Sequence, residues 1–519
     1  MLPFKLTELK SPLTVGAVHA AYKAGEYTAV DLVQAIIDAI KTDEAQYTEG
    51  KPAAHAYLEV YEDALDQARA AQEIIDECRS QGKDFPMLTG IPVAVKDNIL
   101  VEGKHVTAAS KILAGYKATY NATAITKLKE HNVVFIGRTN MDEFAMGGST
   151  ENSAYGVTTN PIDNRRVPGG SSGGSAAALA MNTAVIALGT DTGGSVRQPA
   201  SYCGVVGLKP TYGAISRHGI IAMGSSLDQV GPMAQSVADV ETLYYALCGK
   251  DSFDSTTIVS ATNSTSQKSE STEKPTYAQR APHADKPVIG IPRHFLNGDG
   301  IDAEVMRVFN ETVEKLKSQG YTCIDVELPN ISYSLAAYYI VMPAEVSSNM
   351  ARYDGVKFGI NVGKDDANSN LLKDYINTRT HGLGKEVQRR IILGTYVLSS
   401  GYYDAYYNKA LEVRNLLRSD FEKAYEKVDV ILTPTAPSPA FKIGDKTADP
   451  LSMYLADIFT VTANLTGMPA LAVPAGFAQN DEPEKTRDGK GLPVGVQLTA
   501  PHGHEAWLFS VGKDISLNG

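Results

Sequence analysis

Cysteine and tryptophan are scarce in this sequence, with four and one among 519 residues. The four cysteines, Cys78, Cys203, Cys248 and Cys323, are far apart and form no CxxC or cysteine–histidine spacing. This scarcity excludes a dense disulfide framework and the common zinc-binding patterns. We therefore expect a chain without a bound metal that works in a reducing compartment.

Long apolar runs are also missing. The longest mostly apolar stretch, residues 176–189, is too short to span a bilayer. The N-terminus lacks the basic and apolar regions of a signal peptide. We expect no membrane association, and a location in the cytoplasm or in an organellar matrix.

Positive charge is in deficit. The 48 lysines and arginines are outnumbered by 59 aspartates and glutamates, so that the formal net charge at pH 7 is −11. Binding to a nucleic-acid backbone requires clustered lysine and arginine. If nucleic acid takes part in the function, we therefore expect another polypeptide to hold it.

The sequence does contain alternating helix-like and strand-like segments. Apolar spacing predicts helices at 13–42 (two, with Thr28 as the N-cap of the second), 61–79, 122–131 and 384–428. Buried-strand patterns occur at 91–95, 132–140, 185–191, 288–293 and 429–437. This alternation predicts an α/β fold with a mostly parallel sheet. The polar residues 260–286 are expected to form an exposed loop.

Two serine–glycine loops carry the chemistry: GGSSGGS at 169–175 and GTDTGGSVRQP at 189–199. In the second loop a predicted strand leads into glycines that place Ser195 in an open turn. Glycines let successive main-chain N–H groups converge on one point, as an oxyanion hole requires. The alternative is an ordinary tight turn that needs positive φ.

The first loop allows several interpretations. It could bind an anion at a helix N-terminus, but it lacks the lysine of a P-loop. Residues 170–174 also match G-x-S-x-G, with Ser172 as nucleophile. That elbow needs a strand directly before it, and the preceding NPIDNRRVP is rich in turns. We therefore exclude Ser172 as the nucleophile.

A serine nucleophile needs a base, and no histidine stands in a motif beside either loop. Lys96, at the end of the apolar run IPVAV, is placed for burial that would lower its pKa. Serine–lysine pairs are an established variant of the triad. Ser171 could then pass a proton from Ser195 to Lys96. The alternative for Lys96 is a side chain that reaches solvent from the end of a strand.

These loops and their flanks resemble the amidase signature family. The matching segments are PVAVKDNI, NPIDNRRVPGGSSGGSAAA, LGTDTGGSVRQPASYCGVVGLKPTYG and NLTGMPALAVPAG. GRTNMDEFAMGGSTENSAYG, SSGYYDAYY and MYLAD are more typical of the branch that supplies the A subunits of glutamyl-tRNA(Gln) amidotransferases. The resemblance covers nearly the whole chain.

The resemblance implies a role for each of several residues. The family's nucleophile falls on Ser195, its relay serine, preceded by a cis peptide, on Ser171, and its base on Lys96. The oxyanion hole falls on the main-chain amides of Thr192, Gly193 and Gly194. In the tRNA-dependent branch an arginine and an aspartate bind the head of the substrate glutamine, and these map to Arg390 and Asp457. Arg389 is adjacent and remains an alternative to Arg390.

The resemblance also implies a fold and a function. The fold is one amidase-signature domain over residues 1–519, with a mixed, mostly parallel twisted sheet flanked by helices. Its N-terminal region (1–85) and an insertion region (330–428) are largely helical. The implied activity is that of a glutaminase that supplies ammonia to a partner subunit, and the alternative is a stand-alone amidase acting on small or aryl amides.

The resemblance finally implies partners. The B subunit of such an enzyme would hold the tRNA and use ATP and Mg²⁺ to convert Glu-tRNA(Gln) to Gln-tRNA(Gln). A small C subunit would clamp the other two, and this chain itself would need no cofactor. Asp-tRNA(Asn) is an alternative substrate of such an enzyme, and activity of the isolated chain is the alternative to activity that requires assembly.

Overall fold

The computed structural model describes residues 6, 13–51, 53–259, 277, 280–296, 300–362, 369–447, 449–479 and 486–517. The α-helices in these ranges are Val15–Ala24 (α1), Ala29–Thr48 (α2), Ala64–Ser80 (α3), Thr123–Glu130 (α4), Gly173–Ala180 (α5), Arg197–Cys203 (α6), Val237–Leu247 (α7), Arg293–Leu296 (α8), Ala303–Ser318 (α9), Ser334–Met350 (α10), Leu371–Gly382 (α11), Lys385–Val397 (α12), Lys409–Tyr425 (α13), Pro450–Tyr454 (α14), Val461–Thr466 (α15) and Glu505–Ile515 (α16). The strands are Tyr57–Val60 (β1), Pro92–Lys96 (β2), Val134–Thr139 (β3), Ile186–Asp191 (β4), Val206–Lys209 (β5), Gln229–Ala234 (β6), Ile289–Ile291 (β7), Cys323–Asp325 (β8), Val430–Pro434 (β9), Ala470–Ala478 (β10) and Leu492–Thr499 (β11).

All of these strands belong to one sheet, in the order β1-β3-β2-β4-β6-β5-β10-β11-β9-β7-β8. The predicted α/β fold, a mixed sheet flanked by helices, is confirmed. The sheet is less parallel than the sequence suggested: among the described strands only β3/β2, β2/β4, β9/β7 and β7/β8 are parallel, and the other six pairings are antiparallel.

The reason for the difference lies in the connections. Parallel strands need a crossover connection, which contains α4 between β2 and β3 and contains α5 between β3 and β4, the latter placing β4 on the other side of β2. The described residues between β5 and β6 form turns without an α-helix, and these two strands pair antiparallel. Helix–strand alternation therefore predicts β2–β3–β4 and misses the central antiparallel pairings.

Local signals at the N-terminal helices are read correctly from the sequence. Thr28 is the N-cap of α2, and its Oγ1 accepts the Asp31 N–H at 3.0 Å while the Asp31 carboxylate accepts the Thr28 N–H at 2.9 Å. This reciprocal capping box satisfies two donors that have no partner inside the helix. The predicted N-cap at Thr28 is thereby confirmed.

Two apolar clusters flank the region in which the serine loops lie. The larger cluster is formed by the faces of the sheet and the helices packed on them. A second cluster joins residues of α10, α12 and α13 to the loops around 108–113 and 141–146. The helices of the 330–428 region thus pack as a layer of their own beside the loops that follow β2, β3 and β4.

The polar loop that we expected at 260–286 lies mostly outside the described residues, which here are Tyr277 and 280–286. Of these, the Tyr277 ring stacks on His502 with centroids 4.8 Å apart. The Arg280 guanidinium donates to Asp429 at 2.7 Å. The organisation of the whole chain as one domain stays a prediction.

The described ranges contain neither a membrane-spanning helix nor a cluster of metal-ligating side chains. No helix there combines the length with the apolar composition needed to cross a membrane. In the same ranges, histidine, cysteine, aspartate and glutamate side chains do not gather in a group of three or more that could hold a metal ion.

Candidate active site

Lys96 is the last residue of β2, and its side chain is completely buried. Its Nζ lies 2.8 Å from Ser171 Oγ, 2.8 Å from Ser172 Oγ and 2.9 Å from Thr190 Oγ1. The parallel pairing of β2 with β4 brings the carboxyl ends of both strands to the same edge of the sheet, which places Thr190 beside Lys96. The alternative in which Lys96 reaches solvent is therefore wrong.

Burial controls the protonation of Lys96. Removal from water disfavours the charged ammonium and lowers the pKa of Lys96 to about 7, although Asp142, Asp191 and Asp228 act in the opposite direction. A lysine with this pKa is half neutral near pH 7, and its lone pair can then accept a proton.

The two serines that contact Lys96 differ in how their hydroxyls are used. Ser172 Oγ accepts the Thr190 N–H at 3.3 Å and donates to the Thr190 carbonyl at 3.2 Å. Its single hydrogen therefore has an acceptor in the main chain of β4. Ser171 Oγ has Lys96 as its hydrogen-bond partner within the described residues, and the Gly170–Ser171 peptide bond is cis. Of the two hydroxyls, Ser171 is the one that remains able to donate to a neutral Lys96.

Ser195 lies in the loop between β4 and α6, which is tied to the loop of Ser171. The Ser195 carbonyl accepts the Ser172 N–H at 3.1 Å, so that the two serine–glycine loops run side by side. Asp191, the last residue of β4, accepts the main-chain N–H groups of Gly194 at 2.9 Å and Val196 at 3.2 Å. One carboxylate thus fixes the turn that presents Ser195.

The main-chain N–H groups predicted as oxyanion donors differ in whether they already have a hydrogen-bond partner. The Gly194 N–H is directed at Asp191, so it cannot also donate to an oxyanion. The N–H groups of Thr192, Gly193 and Ser195 form no hydrogen bond within the described part of the chain. Of the three predicted donors, Thr192 and Gly193 therefore have free N–H groups and Gly194 does not, and the neighbouring Ser195 N–H is also free. Their role as an oxyanion hole stays a prediction.

Arg197 is a buried partner of this loop that the sequence motifs did not single out. Its guanidinium donates to both carboxylate oxygens of Asp191 at 3.0 Å and to Asn464 Oδ1 at 2.6 Å. Burial opposes ionisation of Asp191, but the charge and hydrogen bonds of Arg197 more than offset it and hold the pKa of Asp191 well below its usual range. The spacing D-x5-R inside GTDTGGSVRQP is the signal that was available.

Arg390 and its neighbour Arg389 differ in how far their side chains are buried. The Arg390 side chain is 5% exposed, whereas that of Arg389 is 47% exposed. Arg390 Nε donates to Glu386 Oε1 at 2.8 Å, and its Nη1 lies 3.6 Å from the Met342 sulfur. Within the described residues Nη2 of Arg390 has no acceptor. The geometry therefore favours Arg390 as the residue that could hold a carboxylate.

Asp457 lies near Arg390, with two tyrosines between them, and we call these four residues the candidate pocket. Tyr339 donates its hydroxyl hydrogen to Asp457 Oδ2 at 2.7 Å, and its ring stacks on Tyr454 with centroids 4.1 Å apart. The Arg390 guanidinium lies 5.8 Å and 5.5 Å from the centroids of these two rings. Burial raises the pKa of Asp457 to about 6, against the effects of Tyr339 and Arg390, so the group is mainly ionised at pH 7. Tyr454 belongs to the segment MYLAD named above, whereas no sequence pattern pointed to Tyr339.

The pocket and the Ser195 loop are in contact. Thr460 Oγ1 lies 2.6 Å from the Gly193 carbonyl oxygen and 3.1 Å from the Asp457 carbonyl oxygen. On the other side of the loop, a Cβ atom at position 193 would overlap the Tyr338 hydroxyl, so that only glycine fits there. The structure therefore brings the residues predicted separately at 96, 171, 195, 390 and 457 into one region.

Similarity to known proteins identifies the family of this chain. A model of the amidase family matches residues 45–509. The A subunit of the glutamyl-tRNA(Gln) amidotransferase of Thermodesulfovibrio yellowstonii is 48% identical over 98% of this chain and 95% of its own length. The crystal structure of the corresponding A subunit from Thermotoga maritima superposes with a TM-score of 0.74 at 37% identity, covering 99% of this chain and 96% of that one.

A more distant relative has the same fold. The peptide amidase of Stenotrophomonas maltophilia superposes with a TM-score of 0.72 at 26% identity, covering 97% of this chain and 96% of that one. The identity is higher to the amidotransferase subunits than to this amidase. The chain therefore belongs to the amidase family, in the branch that contains the A subunits of glutamyl-tRNA(Gln) amidotransferases.

Proposed function

We propose that this chain is the glutaminase subunit of a tRNA-dependent amidotransferase. The observation that carries the proposal is the buried Lys96 amine, 2.8 Å from Ser171 Oγ and beside the Ser195 loop. Amide hydrolysis by serine needs a base of this kind, and lysine can provide it when its pKa falls to about 7.

The first half of the reaction forms an ester. The Ser195 hydroxyl passes its proton to Ser171, which passes its own to the neutral Lys96 amine. Ser195 Oγ bonds to the γ-carboxamide carbon of glutamine, and the oxyanion that develops accepts the N–H groups of Thr192, Gly193 and Ser195. When the intermediate collapses, the carbon–nitrogen bond breaks and the leaving nitrogen takes the proton back through Ser171. The products are ammonia and a glutamyl ester of Ser195.

The second half regenerates the enzyme. A water molecule gives a proton to the same relay and attacks the ester carbonyl, again with the oxyanion held by main-chain N–H groups. Collapse breaks the bond to Ser195 Oγ, which recovers its proton from Lys96 through Ser171. Glutamate leaves, and Lys96 is neutral once more.

Recognition of glutamine is assigned to the neighbouring pocket. The substrate α-carboxylate pairs with Arg390, whose planar guanidinium suits a carboxylate. The α-ammonium pairs with ionised Asp457, which Tyr339 orients through its hydroxyl. A pocket with both charges suits a free amino acid better than a small or aryl amide, and this contrast favours the glutaminase over a stand-alone amidase.

The similarity to A subunits of amidotransferases supports a proposal that this chain works with further subunits. Ammonia passes to a second subunit, which holds Glu-tRNA(Gln) and uses ATP and Mg²⁺ to form Gln-tRNA(Gln), and a third subunit clamps the pair. The net charge of −11 supports this division, because the chain carries no excess of the basic residues that grip tRNA.

The function is tested by measuring glutamate release with and without partners. We expect the chain co-purified with its B and C subunits to hydrolyse glutamine and, with Glu-tRNA(Gln) and ATP, to form Gln-tRNA(Gln). Simple aliphatic and aryl amides should be poor substrates because they lack the two charges that the pocket pairs. Rapid hydrolysis of such amides by the isolated chain, with no activity on glutamine, would favour the stand-alone amidase.

Replacement of Arg390 tests substrate recognition. We expect Arg390→Ala to raise KM for glutamine about 10- to 100-fold, because charge-assisted hydrogen bonds to the carboxylate, together about 1.5–3 kcal/mol, are lost. Arg390→Lys should recover only part of the affinity, since an ammonium lacks the guanidinium fork. The matched control is Arg389→Ala, which should leave KM within about twofold. A large effect at Arg389 with none at Arg390 would exchange the two assignments.

A further inference from the structure

Glu143 is a buried carboxyl group just after β3 that the proposed reaction does not use. The residue is 2% exposed and has hydrogen-bond partners from two distant parts of the chain. Ser110 Oγ donates to Glu143 Oε1 at 2.5 Å, and the Gly384 N–H donates to Oε2 at 2.7 Å. Within the described residues no cation forms an ion pair with this carboxylate.

The contact with Gly384 fixes the start of a helix. Gly384 is the N-cap of α12, where main-chain N–H groups have no partner inside the helix. The approach is so close that a Cβ atom at Gly384 would overlap Glu143 Oε2. Two residues earlier, Gly382 packs on Ile112, and its carbonyl lies 3.4 Å from Ser110 Oγ. The first turn of α12 is therefore anchored on the pair formed by Ser110 and Glu143.

Helix α12 carries the arginine of the candidate pocket. Glu386, in its first turn, accepts both the Arg390 Nε–H at 2.8 Å and the Tyr454 hydroxyl at 2.9 Å. Glu386 and Arg390 are one helical turn apart, so a shift of the α12 N-terminus moves both. The position of the guanidinium thus depends on how α12 begins.

The residue before Glu143 is attached to the relay serine. The Asp142 N–H donates to the Ser171 carbonyl at 3.3 Å. The Asp142 carboxylate accepts the Thr150 N–H at 2.9 Å and the Asn152 N–H at 3.1 Å. Two consecutive residues therefore contact the two halves of the site. Asp142 contacts the loop that carries Ser171, and Glu143 contacts the helix that carries Arg390.

Burial changes the ionisation of the Glu143 carboxyl group. It raises the pKa of Glu143 to about 7, against the two hydrogen bonds that favour the ionised form. A purely apolar side chain would avoid this cost of burying a carboxyl group. A carboxyl group at this position is instead suited to accept two donors at once, one from each segment that it joins.

From this arrangement we propose that Glu143 is a positioning residue that sets the distance from Arg390 to the Ser171–Lys96 relay, and thereby the fit of an amino-acid amide. The inference rests on the proposed function, because it requires that Arg390 binds the substrate carboxylate. Without the hydrogen bonds of Glu143, the Arg390 guanidinium is misplaced, whereas the groups that cleave the amide keep their positions. Its effect should appear in binding of the charged substrate and not in the chemical step.

The test compares two substrates and two replacements in the assembled enzyme. We expect Glu143→Ala to raise KM for glutamine at least about tenfold while kcat stays within about threefold, because misplacement of a ligand group weakens binding. Butyramide, which has no α-carboxylate, should be hydrolysed with a kcat/KM within about twofold of the parent value. Glu143→Gln should restore KM for glutamine to within about threefold, since its amide oxygen can accept the Gly384 N–H and its amide nitrogen can donate to Ser110.

A second variant covers the case in which Glu143→Ala does not fold. Gly384→Ala keeps every polar group but forces the N-terminus of α12 away from Glu143, and it should raise KM for glutamine in the same way. Equal losses on both substrates in either variant, or failure of Glu143→Gln to restore KM, would show a merely structural role and overturn the inference. If the parent enzyme hydrolyses no glutamine, or Arg390→Ala leaves KM unchanged, the proposed function fails and the inference fails with it.

Discussion

Replacement of Ser195 by alanine is expected to lower the glutaminase rate by at least about four orders of magnitude. The variant loses the Ser195 hydroxyl from the loop that also presents the free N–H groups of Thr192 and Gly193, whereas the other hydroxyl of this loop, that of Thr192, donates to Asp228 at 2.7 Å. The loop should keep its shape, because the bonds from Asp191 to the Gly194 and Val196 N–H groups do not involve the Ser195 side chain. Release of glutamate from glutamine, measured in the assembled enzyme, gives the rate, and circular dichroism gives the fold.

Covalent labelling distinguishes the three serines of the site. A glutamine analogue with an electrophilic carbon in place of the γ-carboxamide should modify the parent chain at Ser195 and leave Ser195→Ala unmodified, although Ser171 and Ser172 remain. Ser172→Ala is the matched control and should still be labelled at Ser195. Label recovered on Ser171 or Ser172, or near-normal turnover in Ser195→Ala, would refute the assignment of the nucleophile.

Lys96 should produce the acidic limb of the pH–rate profile. Because burial lowers its pKa to about 7, the amine is protonated below that pH and has no lone pair to accept the Ser171 proton. The value of kcat, measured at saturating glutamine so that Asp457 stays paired with the substrate ammonium, should therefore rise about tenfold per pH unit up to about pH 7 and then level off. The profile is measured between about pH 5 and 9 with the fold checked at each end.

Variants identify the group responsible for this limb. Lys96→Met should lower kcat at least about 10³-fold and remove the limb, and Lys96→Arg should be equally inactive because a guanidinium stays protonated. Lys209→Met is the matched control: burial also lowers the pKa of Lys209 to about 7, but its Nζ donates to the Pro210 carbonyl and not to the relay. A limb that survives in Lys96→Met and disappears in Lys209→Met would contradict the mechanism.

The burial of Lys96, the proposed base, could be predicted because its signals are local. An apolar run that ends on lysine indicates a buried strand with a charge at its end, and β2 ends at Lys96. The glycines around Ser195 likewise indicate an open turn after a strand. What local patterns could not reveal was the Asp191 carboxylate that takes up the Gly194 N–H, since this depends on the direction of one side chain.

The substrate pocket was less predictable. Arg389 and Arg390 are neighbours on one helix, so their side chains point about 100° apart, and only the packing of α12 on α10 decides which of them is buried. Tyr339 and Tyr454 lie far apart in the sequence and meet only because α10 and α14 converge. Contacts of this kind leave no periodic or compositional trace.

The strands of the sheet also differ in whether the local sequence predicts them. Strands β2, β3 and β4 have continuous apolar patterns with helices between them, and all three were predicted. The central strands β5 and β6 include Gly207, Gly231 and Pro232, residues that weaken a strand pattern. Their formation depends on pairing with distant segments.

The Ser195 loop and the candidate pocket meet at Thr460 but are built from different segments of the chain. The groups proposed to cleave the amide are supplied by β2, the loop between β3 and α5 and the loop between β4 and α6, whereas the groups proposed to bind the substrate head are supplied by α12 and the turn after α14. An exchange of the α12 segment together with residues 450–457 could therefore change which amide is accepted while leaving the amide-cleaving machinery untouched. One scaffold could in this way serve many substrates, with new selectivity acquired by replacing two short stretches of chain.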